Sequence, residues 1–292
     1  MRYIYTTGYI LLAIAMQLFT GNFPVSFLSF PLNIIFAGIW LVMLWILHKE
    51  YKKSFFTRLL CSPQTSVLSI GLFISGCLVI GLLPQLSDIS AKNREGILAQ
   101  LGCYNFMTSW IFIAILFLLL SNLGMITIHA FQHRKRARWR FILNHAGLWL
   151  ALFAGFLGSS DTQTLRIPIY RSEPAHEAFD MNGTSHYLDY EIELNSFTVE
   201  YYPNGRPSRF AANVRLGNKK AVLEVNHPYA YRLGEDVYLT GYDVMKGSES
   251  EYCILQVVKQ PWKYVIVAGI LMMLAGAVLL FINGPKAYDK LG

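Results

Sequence analysis

Six apolar stretches, each close to the length of a membrane-crossing helix, decide what this chain can become. They lie at approximately 3–20, 31–48, 66–83, 107–128, 141–158 and 263–283. A bilayer core about 30 Å thick is crossed by roughly 20 apolar residues in helical form. Lipid offers no hydrogen bonds, so a backbone within it must satisfy its own, as a helix does. Composition agrees: 54% of the 292 residues are hydrophobic and only 15% charged, against about a quarter charged in soluble domains. The first stretch is followed by Gly21-Asn22-Phe23-Pro24, which lacks a small-residue cleavage site, and is expected to be retained.

Charge sets the orientation. After the second stretch stand Lys49, Lys52, Lys53 and Arg58 against Glu50 alone. After the fourth come Arg134, Lys135, Arg136, Arg138 and Arg140 with no acid. Short basic loops stay in the cytoplasm. Residues 21–30 carry no charge, and residues 84–106 balance Asp88 and Glu95 against Lys92 and Arg94; these are the expected exported loops. Six spans then place both termini in the cytoplasm, with Lys286 and Lys290 in the tail, and residues 159–261 outside. The basic pI of about 9.2 therefore reads as membrane topology rather than nucleic-acid binding.

The exported segment reads as strands. Leu188, Tyr190, Ile192 and Leu194 alternate with polar residues, as do Phe197, Val199 and Tyr201. Pro203-Asn204-Gly205 supplies a hairpin turn, because Asn-Gly takes positive φ readily. Phe210, Ala212, Val214 and Leu216 continue to a second turn at Gly217-Asn218, with further strands near 220–225, 235–240 and 251–258. The expected fold is a helical membrane protein with an inserted all-β antiparallel sandwich or meander. Its parts are an N-terminal hairpin and cytoplasmic loop (1–65), core spans three to five (66–158), the exported domain (159–261), and the last span with its tail (262–292).

One ionisable group falls inside a span. His145 lies about five residues past the last cytoplasmic arginine, roughly 7 Å into the helix at 1.5 Å per residue. At helical spacing it shares a face with Trp149, Leu152 and Phe156, while Gly147, Ala151 and Gly155 form a ridge of small residues for close packing. Gly269 and Gly276 repeat that pattern in the last span. Such a histidine either hydrogen-bonds a neighbouring helix or ligates a metal or haem iron. His48, His129 and His133 stand at membrane boundaries, His176 and His186 open the exported segment, and His227 sits in a turn. Cys61, Cys77, Cys103 and Cys253 show no metal or redox spacing, and only Cys103 and Cys253 could pair. No phosphate loop, HExxH, GxSxG or paired membrane carboxylates occur, so no self-contained catalytic centre is expected.

Several segments together resemble the ResB (CcsB) family of System II cytochrome c biogenesis. Gly81-Leu82-Leu83-Pro84-Gln85 is similar to the G-x-x-x-P-Q end of the family's first core helix. Ser109-Trp110-Ile111-Phe112 is similar to its S-W-W-F element, with Ile111 in place of the second tryptophan. Phe197-Thr198-Val199-Glu200-Tyr201 through Gly205, and Val225-Asn226-His227-Pro228, resemble its F-x-V-x-Y-x-x-x-G and V-N-x-P elements. The likeness runs over roughly 66–283, while the first two spans are additional to it. It implies a subunit, non-catalytic or co-catalytic, of a cytochrome c haem lyase in a bacterial inner membrane. The six tryptophans are scattered, with no WWD-type segment, which implies a CcsA-type partner on another chain. It further implies that His145 is an axial ligand to transiently held haem b, with Trp149, Leu152 and Phe156 against the porphyrin. The exported domain would then present apocytochrome c bearing CxxCH. The competing expectation is an assembly factor that scaffolds a membrane complex without touching haem.

Overall fold

A computed structural model describes residues 2–132 and 139–283. His133, the basic run from Arg134 to Arg138, and Lys286 and Lys290 lie outside the described residues. The chain divides into two compact units, one formed by residues up to Ser160 together with those from Val265 onward, the other by Asp161–Tyr264.

The first unit is helical: α1 (Arg2–Thr20), α2 (Leu32–Glu50), α3 (Phe55–Leu60), α4 (Pro63–Leu82), α5 (Asp88–Lys92), α6 (Ile97–Gln100), α7 (Trp110–Gln132), α8 (Trp139–Ser159) and α9 (Lys263–Asn283). Among the described residues, α2, α4, α7, α8 and α9 are long and apolar enough to cross a membrane. The first expected span, 3–20, forms as α1, but its apolar part, Ile4–Thr20, is shorter than these five. This is a multi-pass membrane protein. Local signals start two of the helices: the hydroxyls of Ser54 and Ser62 accept from the backbone N–H of Thr57 and Thr65, and Pro63 occupies the first turn of α4. The central helix is α7, two-thirds buried against 11% for α9; α1, α2, α3, α4 and α8 all pack on it. Asn122, buried on α7, donates to the Leu60 carbonyl at 2.5 Å, as a polar group removed from water must.

Glycine brings α8 and α9 together. A Cβ on Gly147 would stand 2.6 Å from the Gly269 carbonyl oxygen and 2.8 Å from the Met273 nitrogen. A Cβ on Gly269 would stand 2.7 Å from both the Ala151 nitrogen and the Gly147 oxygen, and one on Gly276 would meet Asn144 at 2.8 Å. The expected ridge is therefore real at Gly147 and Ala151. Gly155, expected to extend it, faces open space.

The second unit is one eight-stranded antiparallel sheet: β1 (Gln163–Tyr170), β2 (Ala175–Phe179), β3 (Ser185–Tyr201), β4 (Pro207–Leu216), β5 (Lys219–Glu224), β6 (Tyr229–Arg232), β7 (Glu235–Tyr242) and β8 (Tyr252–Lys259), in the order β5-β4-β3-β2-β1-β8-β7-β6. Two meanders thus meet where β1 pairs β8, with Gln163 opposite Lys259. That seam joins the two ends of an insertion, and beside it the Trp262 indole donates to Asp161 at 2.7 Å. The two alternating runs at 188–194 and 197–201 are a single strand, β3, with a register shift between Leu194 and Ser196. The turns at Asn204-Gly205 and Gly217-Asn218 form as expected, with φ +75° at Gly205 and +53° at Gly217. One core gathers Leu165, Ile167, Ile169, Ile192, Leu194, Phe197, Val214, Leu223 and Leu255.

One buried carboxylate is fully engaged. Glu235, 3% exposed, accepts from the Tyr190 hydroxyl at 2.5 Å and from Arg232 Nε at 2.7 Å. Arg232 also grips Asp189 through two nitrogens, which holds that carboxyl below its ordinary range. All four cysteines are free thiols, and burial pushes the Cys253 thiol up to about 12.

Two outcomes follow. Gly269→Leu forces a side chain into backbone and should cost at least the ~1–3 kcal/mol typical of overpacking, read as a lowered unfolding temperature in detergent. At pH 8 a soluble maleimide should leave Cys253 unlabelled until the protein is denatured.

Candidate functional site

The close approach of Gly147 to Gly269 shows which face of α8 meets α9, and His145 stands two residues before that contact. At about 100° per residue, the imidazole points roughly opposite to the glycine seam. The ring is half-buried, stacked on Phe141 with centroids 3.7 Å apart at 22°. Nδ1 lies 2.8 Å from the Phe141 carbonyl oxygen. A carbonyl only accepts, so Nδ1 carries a proton, and in the neutral imidazole Nε2 keeps its lone pair. Nε2 makes no hydrogen bond among the described residues. A neutral imidazole with one nitrogen tied back and the other free is the form that coordinates a metal.

Of the three side chains expected beside it, Trp149 turns furthest inward. Its indole donates to the Leu120 carbonyl of α7 at 3.0 Å, and its ring stacks on Phe153 at 4.5 Å and 16°. Trp40 of α2 lies 6.1 Å from it and stacks in turn on Phe117. Much of Trp149 is therefore committed to the junction of α2, α7 and α8. Leu152 and Phe156 are half-buried.

Two features escaped sequence reasoning. Phe141 is a direct neighbour of His145 through both ring and carbonyl; the signal was its position four residues earlier on one helix. The structure also brings together His48 on α2, 4% exposed, and His129 on α7, with ring centroids 5.4 Å apart and planes at 82°. Both ended apolar runs on the same side, yet nothing in sequence spacing links positions 48 and 129. No cluster of three or more metal-ligating side chains occurs among the described residues. In the second unit, His186 contacts Asp180 at 3.4 Å on an exposed hairpin. His227 lies in the expected turn, where Asn226 has φ +65°.

The helix-end motifs have structural work. Gln85 donates to the carbonyls of Leu83 and Cys103, both at 3.1 Å, and accepts from the Phe106 N–H at 3.0 Å. It thereby ties the end of α4 to the 3-10 turn Cys103–Thr108. The Ser109 hydroxyl accepts from the Phe112 N–H at 3.1 Å at the start of α7. Trp110 donates through its backbone to Gln17 Oε1 at 3.0 Å and through its indole to Thr20 at 2.8 Å.

Trp149→Phe should keep the stack but lose the indole hydrogen bond. The expected cost is about 1 kcal/mol, measured by thermal denaturation in detergent.

Comparison with known proteins gives three results. No curated protein matches the chain. A solved structure described as "Cytochrome c Heme Lyase CcmF" aligns at 12% identity with a TM-score of 0.37, over 70% of this chain. The chain spans about 33% of that structure's length, and a likeness this distant carries no argument. The model of the ResB-like family matches residues 132–251, the stretch holding α8, His145 and most of the sheet. Over those residues the chain is similar to the ResB-like family, that of the System II cytochrome c biogenesis protein ResB/CcsB.

Proposed function

We propose that this protein is the ResB-like component of the machinery that moves haem across a bacterial inner membrane and attaches it to apocytochrome c. The observation that carries the reading is His145. It sits in the family-matched segment, on a membrane helix, with Nδ1 held by the Phe141 carbonyl and Nε2 free.

In this reading haem b is transient cargo. His145 Nε2 supplies one axial ligand, and a histidine of a CcsA-type partner supplies the other. Leu152 and Phe156, with the uncovered part of Trp149, offer the porphyrin an apolar wall. The glycine seam turns this face of α8 away from α9; Trp149 on it meets α7, and the half-buried His145, Leu152 and Phe156 are left for a partner. Residues 159–261 lie in the exported compartment, both termini in the cytoplasm, and the sheet helps to present the CxxCH segment. Attachment itself forms carbon–sulfur bonds: each cysteine sulfur adds to one carbon of a haem vinyl group while a proton adds to the other. In this reading the chain's part in that step is to bind and position haem and the CxxCH segment.

Co-purification of the full chain with its partner, followed by absorption spectroscopy, tests the ligand. His145→Ala should lower the Soret absorbance per complex at least twofold, with partial recovery on adding imidazole. Identical haem content and spectrum would favour the scaffold that never touches haem. Reporter fusions within residues 160–260 should be active only outside the cytoplasm.

A further inference from the structure

A second place in the helical unit has the build of a binding site, far along the bundle from His145. It lies at the end where α1 and α4 finish and α7 begins. There the turn after α1 and the stretch from α5 to the 3-10 turn enclose a groove of about 520 Å³.

One wall is rigid. Gln17, 2% exposed, accepts from the Trp110 N–H and donates to Asn22 Oδ1 at 2.7 Å. Asn22 donates to the Asn105 carbonyl at 3.1 Å and the Thr108 hydroxyl at 2.8 Å. Phe23 donates its N–H to the Thr108 carbonyl at 2.8 Å. Behind them Gly102 has φ +72°, and a Cβ there would stand 2.6 Å from Asn22 Oδ1 and 2.8 Å from Gln17 Nε2. The carboxamides are thus spent almost wholly on each other and on the backbone. They shape the groove and leave little for a ligand.

Two donors remain unspent. Among the described residues the Lys92 ammonium has no ion pair and the Tyr104 hydroxyl no hydrogen bond, and both line the groove. Arg94 stands 5.8 Å from the Tyr104 ring, and Glu95 lines the adjoining cleft with Lys92 and Arg94. Leu18, Phe23, Pro24 and Val25 supply apolar lining. A preformed wall, an ammonium and a phenol beside apolar surface at a helix end suit one anionic oxygen group on an amphiphile.

We propose that this groove binds an amphiphile through its anionic headgroup, a phosphate or a carboxylate, held by Lys92 and Tyr104. The chemistry has two sources in a membrane that handles haem: a phospholipid phosphate and a haem propionate.

Native mass spectrometry of the detergent-purified full chain separates them. Phosphatidylglycerol is compared with phosphatidylcholine, and haemin with its dimethyl ester, in wild type, Lys92→Glu, Tyr104→Phe and His145→Ala. Retention of phosphatidylglycerol over phosphatidylcholine, weakened at least tenfold by Lys92→Glu, supports the site with a lipid occupant. Retention of haemin over its diester, lost in Lys92→Glu but kept in His145→Ala, supports it with haem. Unchanged elution and unfolding temperature of Lys92→Glu establish that the fold is intact. The proposal is overturned if neither anion is retained above its control, or if Lys92→Glu and Tyr104→Phe both bind like wild type. Because His145→Ala is scored separately, failure here leaves the axial-ligand reading untouched, and the reverse also holds.

Discussion

Backbone touches backbone where Gly147 meets Gly269, and that contact commits one face of the helix bearing His145 to α9. Lipid gives helices no hydrophobic reason to associate, so close van der Waals approach must supply the attraction. The absence of two side chains permits it, and Asn144 against Gly276 extends the contact towards the start of α8. With one face of α8 thus committed, the opposite face is left for the imidazole. The glycine contact and the imidazole occupy two sides of one helix, separated by about 200° of turn.

The N-terminal hairpin, additional to the segments that carry the family resemblance, is not a loose appendage. Gln17 and Thr20 of α1 hold the backbone and indole of Trp110, where α7 begins. Since α7 is the helix on which most of the unit packs, α1 helps to fix the position of the central element. The tryptophan is therefore gripped by a helix remote in sequence, and its conformation is determined by tertiary contact rather than by local propensity.

Much of the architecture could be read from the chain because two periodicities are strong in it. Apolar runs of about 20 residues gave the spans, and alternation in Leu188–Leu194 and Phe210–Leu216 gave strands with their turns. The strands β1, β2 and β6 escaped notice for physical reasons. Pro168 interrupts β1 and argues against a strand within a sheet, yet it lies outside the register that joins β1 to β2, which is fixed at Arg166 and Phe179. β2 and β6 are five and four residues long, too short for alternation to show. At the site, His145 was legible because an ionisable residue among hydrocarbons is rare. Its bond to Phe141 was available from helical spacing. The encounter of His48 with His129, and the inward commitment of Trp149, depend on how α2, α7 and α8 pack, which no local pattern encodes.

The pairing of β1 with β8 also imposes an order on synthesis. Residue 163 finds its partner only when residue 259 has been made. At ribosomal speeds of about 5–20 residues per second, that is a delay of roughly 5–20 s. β2 to β5 can zip up successively meanwhile, but Leu165, Ile167 and Ile169 must wait with one flank of their strand open. The sheet therefore closes only as the polypeptide is about to supply its final membrane helix, so completion of the sheet and delivery of α9 are nearly simultaneous events in the life of each molecule.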